Sequence, residues 1–392
     1  MLSQMLAPLK GAPAPFTSVA VEASRVNRAG GDDATRHWEQ QARHLRELGA
    51  PDDVVEALGD AVTAPTGLGG EHTRVAVAAG GDVVLDLVLP GRPARDESLH
   101  GPVPHLVPVA RALAGAVPYA VVRLDRAGAD IEVVGPGGEV QQAEEVAGDH
   151  DVLHKVPGGG WSQRRYQERV EDSAARNIGH VAEHLDRLVR RQRPELVLVM
   201  GEDEAVAELR DRAGSELAER LVVLDSGGRA AGTSEEAEQE AVDTALEEHR
   251  RRRRAELLDA FEEQRNRQQR AVEGLDDVVD VLRRGQVERL LLADDPTSTL
   301  TLWVGEQPLQ LATSEEQARD AGASEPVEVR ADAAILWALL GSDADITFVE
   351  ADEVALQGGI GALLRWSDPA TPHERVPSMP GHGEAPGSSN PE

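Results

Sequence analysis

The sequence predicts a three-domain α/β chain, and three observations carry that expectation. Stretches with the two-residue period of strands alternate with stretches of helical period. The alternation restarts near Val117, after a first block that closes on its own. A final segment rich in proline, glycine, serine and glutamate breaks the pattern altogether. The expected boundaries are an N-terminal α/β domain over 1–115, a middle domain over 116–270, a C-terminal α/β/α sandwich over 271–368, and a disordered tail over 369–392.

In the first block, Phe16 to Val21 has the composition of a strand, and Asp33 to Leu48 that of a helix. Trp38, Ala42 and Leu45 fall on one face of that helix. A second helix is expected over Asp52 to Val62. Val75–Ala78 and Val83–Leu89 flank Gly80-Gly81, the pattern of a tight hairpin. In the middle block, Tyr119–Leu124 and Asp130–Val134 read as a hairpin turning at Arg126-Ala127-Gly128. A long helix follows. Its apolar residues Tyr166, Val170, Ala174, Ile178, Val181, Leu185 and Leu188 recur every three or four positions. Pro194 closes it, and short apolar strands are expected at Leu196–Met200 and Leu221–Leu224. Thr233 and Glu236 have capping-box spacing before a helix that runs through Arg250–Arg254 to about Gln269. A helix at Leu275–Leu282, stopped by Gly285, opens the last block. Strands at Val287–Leu292, Thr299–Val304, Ile346–Val349 and Ala362–Trp366, with a helix at Ala333–Leu340, complete it.

Composition narrows the function classes. Of 392 residues, 40% are hydrophobic and 28% charged, as in a globular protein. With aromatics at only 3%, alanine, valine and leucine must fill the core. No apolar run approaches the ~18–20 residues of a membrane-crossing helix, and Met1–Lys10 lacks the pattern of a secretory signal. A cytoplasmic protein without membrane partners is expected. The absence of cysteine excludes disulfides and thiol chemistry. The net charge of −30 runs against a broad nucleic-acid surface, although it leaves room for local cationic patches. Lys10 and Lys155 are the only lysines, so such patches must be built from arginine, which grips phosphate in bidentate fashion.

The segment with the most chemical content is Pro157-Gly158-Gly159-Gly160-Trp161-Ser162-Gln163-Arg164-Arg165-Tyr166-Gln167. Three successive glycines permit backbone conformations closed to other residues and let the chain approach a ligand closely. Ser162 is expected to cap the following helix, whose N-terminus favours anions. Arg165, Arg169 and Arg176 share one stripe of that helix, opposite its apolar face. An ordinary connection with a solvated helix face fits the same residues.

Other groups have competing readings. Asp125 and Asp130 have the chemistry of nuclease metal ligands and also the residue type common in turns. His180 and His184 have metal-compatible i, i+4 spacing, with His150 and His154 upstream, but no third ligand is evident. No metal or cofactor is expected. Arg250–Arg254, flanked by Glu247-Glu248 and Glu256, suits either RNA contact or pairing along an exposed helix.

The order of hairpin, glycine-rich loop, long basic helix and apolar strand resembles the middle domain of archaeal and eukaryotic class I release factors and Pelota. In the class I release factors a Gly-Gly-Gln tripeptide enters the peptidyl-transferase centre, and its glutamine assists attack of water on the peptidyl-tRNA ester. Here Trp161 and Ser162 separate Gly159-Gly160 from Gln163, so Gln163 is the position that the resemblance makes catalytic. It makes Gly158, Gly159, Gly160, Trp161 and Ser162 the peptidyl-transferase-centre loop. Arg164, Arg165, Arg169 and Arg176 then become RNA-binding residues. The segment Gln357-Gly358-Gly359-Ile360-Gly361-Ala362-Leu363-Leu364-Arg365-Trp366 is similar to the closing strand of the family's C-terminal domain, which is L7Ae-like. Pro15-Phe16-Thr17-Ser18-Val19 resembles the start of the actinobacterial Balon-like branch.

The resemblance implies a stress-linked factor that binds the ribosomal A site in hibernation or rescue, with a translational GTPase as a further partner. No codon-reading motif is visible. Two alternatives stand beside it. One is a peptidyl-tRNA hydrolase using Gln163. The other is a stress-linked RNA-binding or nuclease module acting off the ribosome.

Overall fold

A computed structural model describes residues 5–23, 31–65, 71–93, 95–147, 161–225, 234–295, 298–350 and 353–372, with backbone alone at 31–34, 147 and 161–173. The chain is mixed α/β and forms two compact units, 1–257 and 258–392. No helix among the described residues is long and apolar enough to cross a membrane.

The first unit holds two sheets. In the N-terminal one, β1 (Phe16–Glu22), β2 (His72–Ala79), β3 (Asp82–Pro90) and β4 (Glu97–Gly101) run antiparallel in the order β3-β2-β1-β4. Gly80 and Gly81, at φ of 60° and 98°, make the two-residue turn that joins β2 to β3. Only glycine takes such angles without strain, and the turn's twist matches the strands. Helices α1 (Gly31–Glu47) and α2 (Asp52–Thr63) bury Leu45, Val55 and Leu58 against Val19, Val21, Ala76 and Ala78 of the sheet. The edge strand β4 and the short helix α3 (Val107–Ala114) have no strong sequence signal. Glu97–Gly101 lacks the alternation of a half-buried strand, and Pro108 sits in the first turn of α3, where its missing N–H is harmless.

In the second sheet the order is β7-β6-β5-β8-β9, built from β5 (Tyr119–Leu124), β6 (Gly128–Val134), β7 (Val140–Ala147), β8 (Leu196–Gly201) and β9 (Leu221–Val223). β5, β8 and β9 are parallel, while the β5-β6-β7 meander is antiparallel. Helix α4 (Trp161–Gln192) makes the crossover from the meander to β8. Alternate strand residues face opposite ways. Ala120, Val122, Val197 and Val199 meet α4 together with α5 (Asp203–Arg212) and α6 (Ser215–Arg220). Val121, Leu196, Leu198 and Met200 meet Val242 and Leu246 of α7 (Glu235–Asn266). The cap of α7 differs from expectation: the hydroxyl of Ser234 accepts the Ala237 amide at 3.3 Å, and Thr233 lies outside the described residues.

The second unit begins at 258, ahead of the boundary expected at 271, because Leu258 and Phe261 in the last turns of α7 pack into its core. Its main sheet has the order β10-β16-β11-β15, from β10 (Ala271–Glu273), β11 (Val287–Ala293), β15 (Asp345–Val349) and β16 (Ile360–Leu364). Helix α8 (Leu275–Arg283) packs on β10 and β16, and ends at Gly285. There the Gly285 amide donates to Leu282 and the Gln286 amide to Val281, both orphan carbonyls of the last turn.

The strand expected at Thr299–Val304 does not join the main sheet. Instead β12 (Thr301–Val304) lies between β13 (Leu311–Ala312) and β14 (Val327–Arg330) in a separate sheet, beside the short helix α9 (Glu315–Asp320). Helix α10 (Ala331–Ser342) packs on α8 and also on β12 and β14. That double cover explains why every residue from Ala333 to Leu340 is buried. Pro369–Pro372 also belong to the described structure: the Arg284 side chain donates to the Ala370 carbonyl at 2.8 Å, and Gln286 to the Thr371 hydroxyl at 3.0 Å.

The glycine-isoleucine-glycine segment has a packing role. Gly358 and Gly359, at φ of 65° and 74°, turn the chain into β16. A Cβ on Gly361 would stand 2.8 Å from the ring of the fully buried Phe261, so no larger residue fits. Arg365 completes the segment by donating to the Ser342 carbonyl at 2.9 Å and the Asp343 carbonyl at 2.5 Å, at the C-terminal end of α10. A cation there satisfies orphan carbonyls and complements the helix dipole. Arg365→Ala is expected to destabilise the protein by about 1–2 kcal/mol. Urea unfolding followed by circular dichroism checks this, and an unchanged midpoint would remove Arg365 from the account.

Candidate functional site

The site expected from sequence sits at the start of α4. Pro157 and Gly158–Gly160 lie outside the described residues. So do the side chains of Trp161, Ser162, Gln163, Arg164, Arg165 and Arg169, whose backbone is helical. Trp161 and Ser162 are both helical, so Ser162 lies inside the helix and not at its N-cap. Gln163 is therefore held in helical backbone. The described core residues of α4 are Ile178, Val181, Ala182, Leu185, Leu188 and Val189. At ~1.5 Å per residue, roughly 25 Å of helix separates Trp161 from Ile178.

What fixes the middle of that helix is visible in detail. Buried Asn177 donates through Nδ2 to the Arg126 carbonyl at 3.1 Å, joining α4 to the β5-β6 turn. The turn is shaped by Asp125, whose carboxylate accepts the amides of Ala127 at 2.7 Å and Gly128 at 2.9 Å. That is the turn reading of Asp125, and it leaves the metal reading without support. His184 lies 2.5 Å from Glu144 on β7. Among the described residues no group of histidine, aspartate and glutamate could hold a metal ion, and His150 and His154 lie outside them. Arg176 is exposed, one residue before Asn177.

Within the arginine cluster on α7, Arg250 and Arg253 are engaged by protein partners. Arg253 straddles the Glu195 carboxylate at 2.8 and 2.9 Å and donates to the Ala114 carbonyl at 3.2 Å. Arg250 donates to the Gly115 carbonyl at 2.8 Å and lies 3.4 Å from Glu247. These two residues, one helical turn apart, thus satisfy carbonyls at the C-terminal end of α3. His249 shares Glu195, at 3.0 Å. Glu195 was not singled out by sequence. A lone glutamate after Pro194 has no local signal, and its role arises from contacts more than fifty positions away.

Sequence reasoning also passed over a charged cluster beside β4. Glu97 pairs with His105 and with Arg95, each at 2.5 Å. Burial alone would raise its pKa. The His105 hydrogen bond and charge, reinforced by Arg95, outweigh burial and hold it at about 2. Neighbouring Asp96 pairs with His37 and accepts the Glu22 amide at 2.9 Å.

Against this geometry, residues 118–267 match the model of bacterial archaeo-eukaryotic release factor family 2. The likeness to this release-factor family is that of the middle segment. The matched stretch spans the second sheet and helices α4 to α7. Two curated relatives cover nearly the whole length. The uncharacterized protein Rv2629 of Mycobacterium tuberculosis (strain ATCC 25618 / H37Rv) is 28% identical over 374 residues, covering 94% of this chain and 97% of its own. The protein MT2704 of Mycobacterium tuberculosis (strain CDC 1551 / Oshkosh) is similar at the same values. Among solved structures, the archaeal translation termination factor aRF1 is 16% identical, covering 93% of this chain and 97% of its own, with a TM-score of 0.26. Archaeoglobus fulgidus Pelota is 18% identical, covering 76% and 80%, with a TM-score of 0.31.

The Glu97 cluster generates a prediction about acid stability. Its folded pKa lies below the unfolded value of ~4.3, so it adds stability above pH ~4.3 that is lost as pH falls toward 2. Glu97→Gln is expected to cost about 1–2 kcal/mol at neutral pH, after discounting for partial solvent screening. The cost should shrink steadily between pH ~4.3 and ~2. Thermal melts of both proteins across that range check it; a difference independent of pH would contradict the ionic role.

Proposed function

We propose that this protein is a ribosome-associated translation factor that occupies the A site during hibernation or rescue of idle or stalled ribosomes. The observation that carries the reading is the release-factor family match over 118–267, which contains the glycine-rich segment and the whole of α4. In this reading Gly158, Gly159, Gly160, Trp161 and Ser162 reach toward the peptidyl-transferase centre. Arg164, Arg165, Arg169 and Arg176 neutralise rRNA phosphates along α4. The C-terminal unit engages a translational GTPase, and the protein works in the cytoplasm.

The local geometry favours occupancy over ester hydrolysis. Ester attack needs the glutamine amide within tenths of an ångström of its transition-state position. Two residues, Trp161 and Ser162, separate Gln163 from the glycine pair, and its backbone is helical.

Sedimentation with vacant 70S ribosomes at low salt, followed by a peptide-release assay on the same sample, tests the proposal. The protein is expected to pellet with ribosomes and to release no peptide. Replacing Arg165, Arg169 and Arg176 together by glutamate should weaken pelleting by about tenfold or more, since each phosphate contact adds to affinity. Release abolished by Gln163→Ala would establish the hydrolase instead. Failure to pellet at all would overturn the ribosomal reading.

A further inference from the structure

A cavity of about 240 Å3 opens on the N-terminal domain between the end of β3, the segment leading to β4, and α3. Arg92, Arg95 and Arg111 line it, together with Glu97, Leu89, Pro93 and Pro108. Three guanidinium groups thus converge on one small hollow, with the carboxylate of Glu97 among them. Arg92 and Arg95 are pre-positioned by carboxylates. Arg92 is held through Nε, 3.1 Å from both Glu22 and Glu71, and Arg95 through Nε, 2.5 Å from Glu97. Both arginines are nonetheless at least half exposed. A guanidinium held at Nε still has its terminal fork, the geometry that grips phosphate. The cavity's rim is also tied down: the Thr73 hydroxyl donates to the Gly91 carbonyl at 2.8 Å, and the Gly91 amide to the Glu71 carbonyl at 3.0 Å.

We propose that this cavity binds a phosphorylated nucleoside unit, its phosphate on the arginine set and its base against the apolar walls. The volume falls below the ~300–1,000 Å3 of pockets for drug-sized ligands, so it admits one such unit and excludes a duplex. Guanidinium planes offer a flat surface on which a base stacks, and Leu89, Pro93 and Pro108 supply apolar contact beside it. The carboxylates of Glu22, Glu71 and Glu97 oppose a long polyanion, which restricts the contact to one or two phosphates. The inference goes beyond the ribosomal reading, because the protein alone suffices to test it. A unit within single-stranded RNA and a free mononucleotide share this chemistry.

The experiment is fluorescence anisotropy of a labelled single-stranded decauridylate titrated with the full-length protein. Uridine monophosphate and inorganic phosphate serve as competitors, and direct binding of uridine monophosphate is measured by calorimetry. The oligonucleotide is expected to bind with a log–log salt slope of roughly −1, as one or two neutralised phosphates require. The double substitution Arg92→Gln, Arg111→Gln should lower affinity about tenfold or more. Arg92→Lys, Arg111→Lys, which keeps both charges, including the one that faces Glu22 and Glu71, should retain the fold and part of the affinity. Stronger competition by uridine monophosphate than by phosphate supports recognition of the base. Binding of the mononucleotide without the oligonucleotide assigns the site to a free nucleotide, and tighter binding of the oligonucleotide assigns it to RNA. Affinity for both probes unchanged by the Gln pair, or equal competition by inorganic phosphate, would overturn the proposal. Because no ribosome is present, either result leaves the sedimentation test independent.

Discussion

The parallel pair β5 and β8 imposes the main constraint on the first unit. A parallel strand pair joined by a crossover helix has both faces to cover, and neither face tolerates water. Val122 and Val199 are fully buried on one side, Leu198 and Met200 on the other. Two helices must therefore bracket the sheet, and α4 and α7 do so in different ways. Helix α4 supplies a broad apolar face. Helix α7 is polar over most of its surface and touches the sheet through Val242 and Leu246, with specific ion pairs around them. Arg123 on β5 pairs with Glu238 near the start of α7, and Arg253 pairs with Glu195 beside β8. Neither bridge is fully exposed, so each is screened less than a surface pair.

This division of labour explains the fate of the arginines. A run of five on one helix reads from sequence as a single feature. In the fold its members diverge with the helical period, so that Arg250 and Arg253 turn to the carbonyls ending α3 while Arg251 and Arg252 face solvent. The cations of the N-terminal cavity show the reverse. Arg92 and Arg111 lie far apart in sequence and meet only because β3 and α3 are neighbours.

The periodic elements were legible in the sequence. The long helices, the glycine-turned hairpin at Gly80-Gly81 and the central apolar strands all emerge where burial imposes a clear period. Elements fixed by their surroundings escaped notice. β4 is a strand because β1 offers it a ladder, and the small sheet around β12 exists because α10 needs a second cover. For the candidate site, the sequence located the glycine-rich segment and the helix after it. It did not reveal that Trp161 and Ser162 are already helical, which puts Ser162 inside the helix rather than at its cap. Nor did it reveal Asn177, Glu195 or the Glu97 cluster, since each depends on a partner distant along the chain.

The bond from Asn177 to the Arg126 carbonyl has a mechanical meaning. It ties α4 to the sheet near the middle of the helix, about 24 Å along the axis from Trp161. A small rotation of a rigid rod grows into a larger displacement with distance from the point where it is tied. The seating of a single amide on a hairpin turn thus governs the aim of residues that it never touches.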